Sequence, residues 1–204
     1  LGIPVISDLN ALMEAPDVIH GHHHMDAAAA ALKFYKSPVV YACHGWLPWQ
    51  EMPLTYPLAA RYVAVSNLTR EYLLTSGIPA NRIAVISNFV DVKRFNRRSP
   101  PTSPVRRALA YGNSWHPNSS ALKIIEECCQ KRGLEFQAIG GGMGNSTASA
   151  EDILPTFDVV FALGRCALEA LACGSSVIVA DPKGMDGPVT TQAFARQRDG
   201  NFGL

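Results

Sequence analysis

The residue types best suited to chemistry lie between residues 163 and 174, where a predicted strand ends and a predicted helix begins. Gly164 permits a tight turn at that junction. The first amides of the helix lack internal acceptors and carry partial positive charge, an arrangement that favours a bound phosphate. Glu169 follows about one turn later, where its carboxylate is placed to reach a ribose hydroxyl. The same pattern also fits an ordinary α/β crossover with Glu169 on the surface, and both interpretations stay open.

Two glycine-containing loops also follow predicted strands, at residues 112–117 and 140–144. Ligands bind to open α/β sheets beyond the carboxyl ends of the strands, so both loops are predicted to lie at the same edge as Gly164. Neither loop matches the dinucleotide-binding or P-loop pattern, and tight turns need glycine in any case. The candidate nucleotide contacts in these loops are Gly112, Asn113, Ser114, Gly140 and Gly141.

Histidines are concentrated at residues 20–24, with Asp26 close behind them. These side chains are potential metal ligands, but neighbours in one loop rarely converge on a single ion. We therefore predict no metal site and expect a strand-end loop in which one histidine touches substrate. His44 also follows a predicted strand, and its role there is either structural or functional. Trp46 and Trp49 are suited either to stacking on a sugar ring or to packing in a core.

The composition describes a folded chain with no broad charged surface. Of its 204 residues, 48% are hydrophobic and 17% charged, and the formal net charge is +1. This balance argues against disorder and against nucleic acid as the main partner. No apolar run reaches the roughly 18 residues that a membrane span needs, and no signal peptide is predicted at the start of the given sequence. No Ser–His–Asp set or carboxylate pair points to a hydrolase or glycosidase.

The five cysteines are scattered and form no Cys-x-x-Cys pair. Free thiols of this kind are typical of the reducing cytoplasm, which is the predicted location, and most are expected to be buried apolar residues. The chain begins at Leu1 without a methionine, and both of its ends are expected to be cut or processed.

Short apolar runs alternate with helical patterns, which is typical of βαβ units and a mainly parallel sheet. Strands are predicted at residues 3–7, 18–20, 38–43, 62–66, 83–86, 108–111, 135–139, 158–161 and 177–180. Helices are predicted at residues 26–35, 68–76, 118–131, 151–154 and 166–173. Ser66 or Asn67 is the predicted N-cap of the second helix, which Gly77 and Pro79 end.

A polar, proline-rich stretch interrupts this alternation near the middle of the chain. Its prolines prevent both a continuing helix and a central strand, so it is interpreted as a linker. The predicted organisation is a short N-terminal Rossmann-like domain at residues 1–98, a linker at 99–105 and a nucleotide-binding domain at 106–204.

Taken together, these segments resemble family 4 of the retaining glycosyltransferases, which have the GT-B fold. Residues 169–178 have the sequence EALACGSSVI, similar to the family's second motif glutamate and the segment after it. In the first half, residues 83–91, IAVISNFVD, resemble the family's interdomain stretch, and His44-Gly45 resembles its first-domain histidine. The resemblance covers about residues 38–192 and implies two Rossmann-like domains facing a cleft.

The resemblance implies transfer of a sugar from a nucleotide diphosphate sugar with retention of configuration, without a metal or another cofactor. Glu169 would bind the donor ribose, and the amides of Gly164, Cys166 and Ala167 would meet the diphosphate. His44 would contact the donor sugar from the opposite domain. The acceptor is a glycan, a lipid-linked sugar or a small molecule, and peripheral membrane association stays open.

Two departures from the family pattern concern the donor site. The first motif glutamate would fall eight positions before Glu169, which is Phe161. The loop after residue 111 also lacks the arginine and lysine that neutralise the diphosphate in the family. Because a leaving diphosphate needs charge stabilisation, Arg165 is the predicted replacement, with Lys183 as a second candidate. The alternatives are a non-catalytic nucleotide-sugar-binding module and a GT-B-fold sugar-nucleotide epimerase.

Overall fold

A computed structural model describes residues 3–45, 49–54, 58–96 and 104–203 of the chain. These residues form two compact units, Leu1–Ser87 and Asn88–Leu204. Both units are α/β and each is built on its own sheet, in agreement with the predicted pair of Rossmann-like domains. No helix within the described ranges is both long and apolar enough to cross a bilayer.

The first unit contains a four-stranded sheet in the order β1-β2-β3-β4, with every neighbouring pair parallel. The strands are β1 (Ile19–Gly21), β2 (Val39–Cys43), β3 (Arg61–Ala64) and β4 (Ile83–Val85). The helices are α1 (His24–Lys33) and α2 (Asn67–Thr75). The central strand β2 is almost continuously apolar because helices and loops cover both of its faces, as is usual in parallel sheets.

The start and end of α2 follow from its sequence. The Ser66 hydroxyl accepts a hydrogen bond from the Thr69 amide, which confirms the predicted N-cap. Gly77 adopts a φ of 84° just beyond the helix, a left-handed conformation that glycine tolerates better than other residues. The chain can therefore turn back at this point to enter β4.

The second unit contains a five-stranded sheet in the order β6-β5-β7-β8-β9. The strands are β5 (Arg107–Tyr111), β6 (Glu135–Ile139), β7 (Val159–Ala162), β8 (Ser176–Asp181) and β9 (Gly184–Pro188). The helices are α3 (Ser120–Lys131), α4 (Ala150–Ile153), α5 (Gly164–Ala172) and α6 (Phe194–Asp199). All pairings are parallel except that of β8 with β9.

Two apolar clusters fill the second unit, and alternation along its strands separates them. In β5, Leu109 belongs to one cluster, whereas Ala108 and Ala110 belong to the other. Phe95 is buried in the Leu109 cluster, so residues 88–96 pack with the second unit. The contact boundary therefore lies before the predicted linker. Residues 99–103 of that linker lie outside the described residues, and the linker stays a prediction.

Three features of the fold differ from expectation. The strand predicted at residues 3–7 is wrong, because that segment is exposed and pairs with no described strand. Strand β9 was not predicted, because it contains two glycines and a proline and is held by pairing with β8. Helix α6 was not predicted either, since it is short and has no side-chain cap.

We predict that Phe95→Ala destabilises the second unit by about 3–5 kcal/mol, the usual cost of removing a buried aromatic ring. Phe89→Ala is the matched control, because the Phe89 side chain is 81% exposed. Chemical denaturation followed by circular dichroism measures both variants. Equal midpoints for the two would contradict the burial of Phe95.

Candidate functional site

The strand order of the second unit defines where a ligand can bind. The connection from β5 leads to β6 on one side, and the chain then returns past β5 to reach β7 on the other. This reversal is a topological switch point, and open α/β sheets bind ligands in the crevice at the carboxyl ends of such strands. Tyr111 ends β5, and Gly164 begins α5 two residues after β7 ends. The segment predicted from sequence therefore lies at the switch point.

Glu169 is the centre of a polar cluster at this position. Its Oε1 accepts a hydrogen bond from Arg165 Nε at 3.1 Å, and its Oε2 accepts one from the Tyr111 hydroxyl at 2.9 Å. The side chain of Glu169 is only 10% exposed, whereas that of Arg165 is 70% exposed. The interpretation that placed Glu169 on the surface is therefore wrong. The arginine and the glutamate are four residues apart on α5, a spacing that brings side chains together.

The chemical state of the cluster follows from its partial burial. Burial, together with the nearby Cys166 and Glu169, raises the pKa of Tyr111, so its hydroxyl stays protonated and donates to the carboxylate. Burial, with a smaller contribution from Glu169, raises the pKa of Cys166 to about 11. Cys166 is therefore an inert thiol at neutral pH and not a nucleophile.

Tyr111 was not among the predicted site residues. It immediately precedes Gly112, at the end of a strand whose carboxyl edge had been identified as functional. The missing information was the adjacency of β5 and β7, because only this pairing brings Tyr111 close to a helix that follows β7.

The start of α5 is only partly open to a ligand. The Gly164 amide donates to the Phe202 carbonyl at 3.1 Å, and the Ala167 amide donates to the Leu163 carbonyl at 3.2 Å. The amides of Arg165 and Cys166 belong to the first turn, where the helix itself supplies no acceptor. These two amides and the exposed Arg165 side chain are the groups at the helix start that suit a phosphate.

A left-handed turn near the end of the chain packs against this helix start. Asn201 and Phe202 have φ values of 57° and 50°, a conformation that costs roughly 1–2 kcal/mol for each non-glycine residue. Phe202 is fully buried, and its amide donates to the Gln197 carbonyl at 2.6 Å. Asn88 Nδ2 donates to Asn201 Oδ1 at 3.0 Å. Core packing and hydrogen bonds therefore hold a strained turn beside Gly164.

The two glycine loops do come together, as predicted from their positions after neighbouring strands. A Cβ atom on Gly140 would overlap the carbonyl oxygen of Gly112, and one on Gly142 would overlap that of Trp115. The Gly141 amide donates to Asn113 Oδ1 at 2.8 Å. The absence of side chains at these glycines permits this close packing of one loop on the other.

Most amides of these loops are already bonded within the protein. The Gly112 amide donates to the Ile139 carbonyl, the Gly140 amide to Asn145 Oδ1 and the Gly142 amide to the Asn113 carbonyl. They do not form an open phosphate cradle. Ser114 is exposed at the turn, and a nucleotide-binding role for the loops stays a prediction.

In the first unit, the structure brings several histidines together. His44 lies just after β2, and its Nε2 is 2.8 Å from Nδ1 of His22 in a stacked arrangement. Burial and the neighbouring histidines His20 and His44 lower the pKa of His22. Across the described part of the chain, no group of three or more potential ligands is arranged to hold a metal ion.

The remaining candidates have distinct surroundings. Trp49 forms an edge contact with His24, with ring centroids 5.3 Å apart, whereas Trp46 lies outside the described residues. Phe161 is buried on β7 in the cluster that contains Ala108, so no carboxylate occupies the position expected for the first motif glutamate. Lys183 is exposed in the turn between β8 and β9, and its amide donates to Asp181 Oδ1.

Comparisons with known proteins agree with this architecture. Residues 2–94 match the family model described as Glycosyltransferase Family 4. Anabaena Alr3699/HepE in complex with UDP and glucose is similar in structure, with a TM-score of 0.56 and 17% identity over 79% of this chain and 58% of that chain. The UDP-glucose complex of the same protein gives a TM-score of 0.55 and 16% identity with the same coverage. No curated protein matches the sequence significantly.

A putative UDP-N-acetylglucosamine 2-epimerase from Listeria monocytogenes is also similar, with a TM-score of 0.47 and 16% identity over 79% of this chain and 56% of that chain. A similarity this low does not distinguish a transferase from an epimerase.

The predicted resemblance to family 4 glycosyltransferases is thus confirmed, with the family match on the first unit. The predicted GT-B type of fold, with two Rossmann-like units, is also confirmed. The chain spans about 58% of the length of the Anabaena structures.

We predict that Gly142→Ala destabilises the second unit by about 1–3 kcal/mol, because the new methyl group overlaps a backbone carbonyl that cannot easily move. Gly200→Ala is the control, because a Cβ there meets only ordinary contacts at 3.8 and 3.9 Å. Thermal unfolding of both variants measures the difference. A Gly142→Ala protein as stable as Gly200→Ala would contradict the close packing of the loops.

We predict that Cys128 reacts with iodoacetamide at pH 8 much faster than Cys166. Cys128 is exposed, whereas the raised pKa of Cys166, about 11, leaves little thiolate at that pH. Peptide mass spectrometry after timed labelling measures both sites, and labelling in urea is the control in which both react. Equal rates in the folded protein would rule out the burial of Cys166.

Proposed function

We propose that the second unit binds the nucleoside diphosphate of a nucleotide sugar, and that the protein transfers this sugar to an acceptor with retention of configuration. The observation that carries the proposal is the Arg165–Glu169–Tyr111 cluster at the switch point of the sheet. The Family 4 match on residues 2–94 and the fold shared with a UDP-glucose-bound structure support it.

Arg165 is proposed to neutralise the diphosphate. Its Nε bonds Glu169, and this contact fixes the plane of the guanidinium while the side chain remains 70% exposed. The two terminal nitrogens make no hydrogen bond to the described residues, and together they form a fork suited to phosphate oxygens. The adjacent backbone amides of Arg165 and Cys166 add N–H donors, which carry partial positive charge at the start of the helix.

Glu169 is proposed to bind the ribose. A carboxylate has two oxygens with about four lone-pair sites, so the bonds from Arg165 and Tyr111 leave room for ribose hydroxyls. Tyr111 then acts as a positioning residue, because its protonated hydroxyl holds Oε2 in place. The carboxylate is thus oriented before the nucleotide arrives, which lowers the ordering cost of binding.

The chemistry would consist mainly of positioning and charge stabilisation. As the bond between the sugar and the diphosphate breaks, negative charge develops on the leaving phosphate, and Arg165 with the helix amides is placed to stabilise it. No metal or other cofactor is part of this proposal. His44 is proposed to contact the donor sugar, and the acceptor is proposed to be a glycan, a lipid-linked sugar or a small molecule.

A binding module without turnover is the second candidate. Burial of Phe161 in the core favours it, because the carboxylate that would help to hold the transferred sugar has no counterpart at that position. The free cysteines support the proposal of a cytoplasmic location for either function.

We predict that Arg165→Ala weakens UDP binding by about 10- to 100-fold, the usual range for losing a charge-assisted hydrogen bond. Isothermal titration calorimetry measures the affinity. Arg106→Ala removes another exposed arginine of the same unit and is expected to leave it unchanged. Lys183→Ala tests the second candidate cation.

The outcomes separate the hypotheses. Unchanged UDP affinity in Arg165→Ala, with a loss in Lys183→Ala, would assign the diphosphate contact to Lys183. Absence of UDP binding by the wild-type protein would overturn the proposed donor site. Slow release of UDP from UDP-glucose, accelerated by an acceptor, would support the enzyme, whereas tight binding without any release would support the module.

A further inference from the structure

A second polar group lies beside the start of α5, separate from the Glu169 cluster. It consists of the carboxamides of Asn88 and Asn201, which are joined by the hydrogen bond from Nδ2 of Asn88 to Oδ1 of Asn201. Both the carbonyl oxygen and Nδ2 of Asn201 lie 3.8 Å from the position that a Cβ would occupy on Gly164. A group attached to a phosphate at this helix start would therefore lie close to the pair.

The hydrogen bond between the two carboxamides leaves part of each group available. Asn88 retains an acceptor oxygen, and Asn201 retains a donor nitrogen, without a hydrogen-bond partner among the described residues. Exchanging the oxygen and nitrogen of both amides would reverse the roles but leave the same set of one donor and one acceptor. A sugar hydroxyl both donates and accepts a hydrogen bond, so the pair is complementary to it.

The pair is held in place from both sides. Nη2 of Arg198 donates to the backbone carbonyl of Asn88 at 2.6 Å. Nη1 of Arg198 is buried and has no partner in the described ranges, so the region keeps unused hydrogen-bonding capacity. On the other side, the buried ring of Phe202 fixes the turn that presents Asn201.

We propose that Asn88 and Asn201 bind hydroxyls of the sugar moiety of the nucleotide sugar donor. This inference rests on the proposed function, because it takes the diphosphate to lie at the start of α5. The asparagine pair would supply sugar contacts that residue 161 cannot make, because that residue is a buried phenylalanine and not a glutamate. The pair thereby determines which sugars bind, whereas the Arg165–Glu169–Tyr111 cluster holds the ribose and the diphosphate, which all such donors share.

The alternative is a purely structural role, in which the pair only joins residues 88 and 201 within the second unit. The variants are chosen to separate this role from sugar binding. Asn201→Gly removes the carboxamide but suits the φ of 57°, so it relieves backbone strain. Asn88→Ala removes the other carboxamide without changing the turn. Asn96→Ala is the matched control, because the Asn96 side chain is exposed and its hydrogen bond to a described residue is the one to the nearby Lys93 carbonyl.

The test compares the affinities for UDP and for UDP-glucose in each variant by isothermal titration calorimetry. We expect Asn201→Gly and Asn88→Ala to bind UDP within about twofold of wild type and to lose about 3- to 10-fold in UDP-glucose affinity, as for a lost neutral hydrogen bond. Asn96→Ala should change neither value.

The outcomes distinguish a failure of the proposed function from a failure of this inference. Wild-type protein that binds no UDP would overturn the proposed function and this inference with it. Wild-type protein that binds UDP, combined with unchanged UDP-glucose affinity in both variants, would overturn the inference alone. An equal loss for UDP and UDP-glucose would also overturn it, since a structural role disturbs the whole site and not only the sugar contacts.

Discussion

The reversal of strand order between β5 and β7 is the constraint on which the site depends. Because the chain leaves β5 in one direction and returns on the other side, the loops at the carboxyl ends of these two strands diverge and leave a crevice. The same adjacency brings Tyr111 to Glu169 across the sheet. The part-buried hydrogen bond between Tyr111 and Glu169 therefore depends on the pairing of β7 with β5.

Much of the fold follows from local sequence, and the exceptions have physical causes. The strand predicted at residues 135–139 has the observed bounds of β6, and the N-cap at Ser66 is confirmed. In contrast, β9 has the sequence GMDGP, which lacks strand propensity, so its conformation comes from pairing with β8. The short apolar run at residues 3–7 predicted a strand, but no described strand pairs with that segment.

The candidate site shows the same division between local and tertiary information. Residues 164–169 could be identified because a strand, a glycine and a helix occur in sequence order. The partners of Glu169 could be predicted only in part, since Arg165 is on the same helix but Tyr111 is on another strand. The glycine loops were expected to meet a nucleotide, which stays a prediction, whereas the structure shows that their glycines permit the packing of one loop on the other.

The ion pair between Arg165 and Glu169 has a consequence for selectivity. The bond from Arg165 Nε to Glu169 Oε1 already pairs the two charges, so an anion that drew the guanidinium away would leave Oε1 without its donor. Inorganic phosphate can take up the cation but offers the carboxylate little in return. A nucleoside diphosphate carries both an anion and neighbouring hydroxyls on one molecule, so it can bind the terminal guanidinium nitrogens and the remaining carboxylate lone pairs while the ion pair stays intact. The pair would then favour a nucleoside diphosphate over a small anion without any steric barrier to the anion.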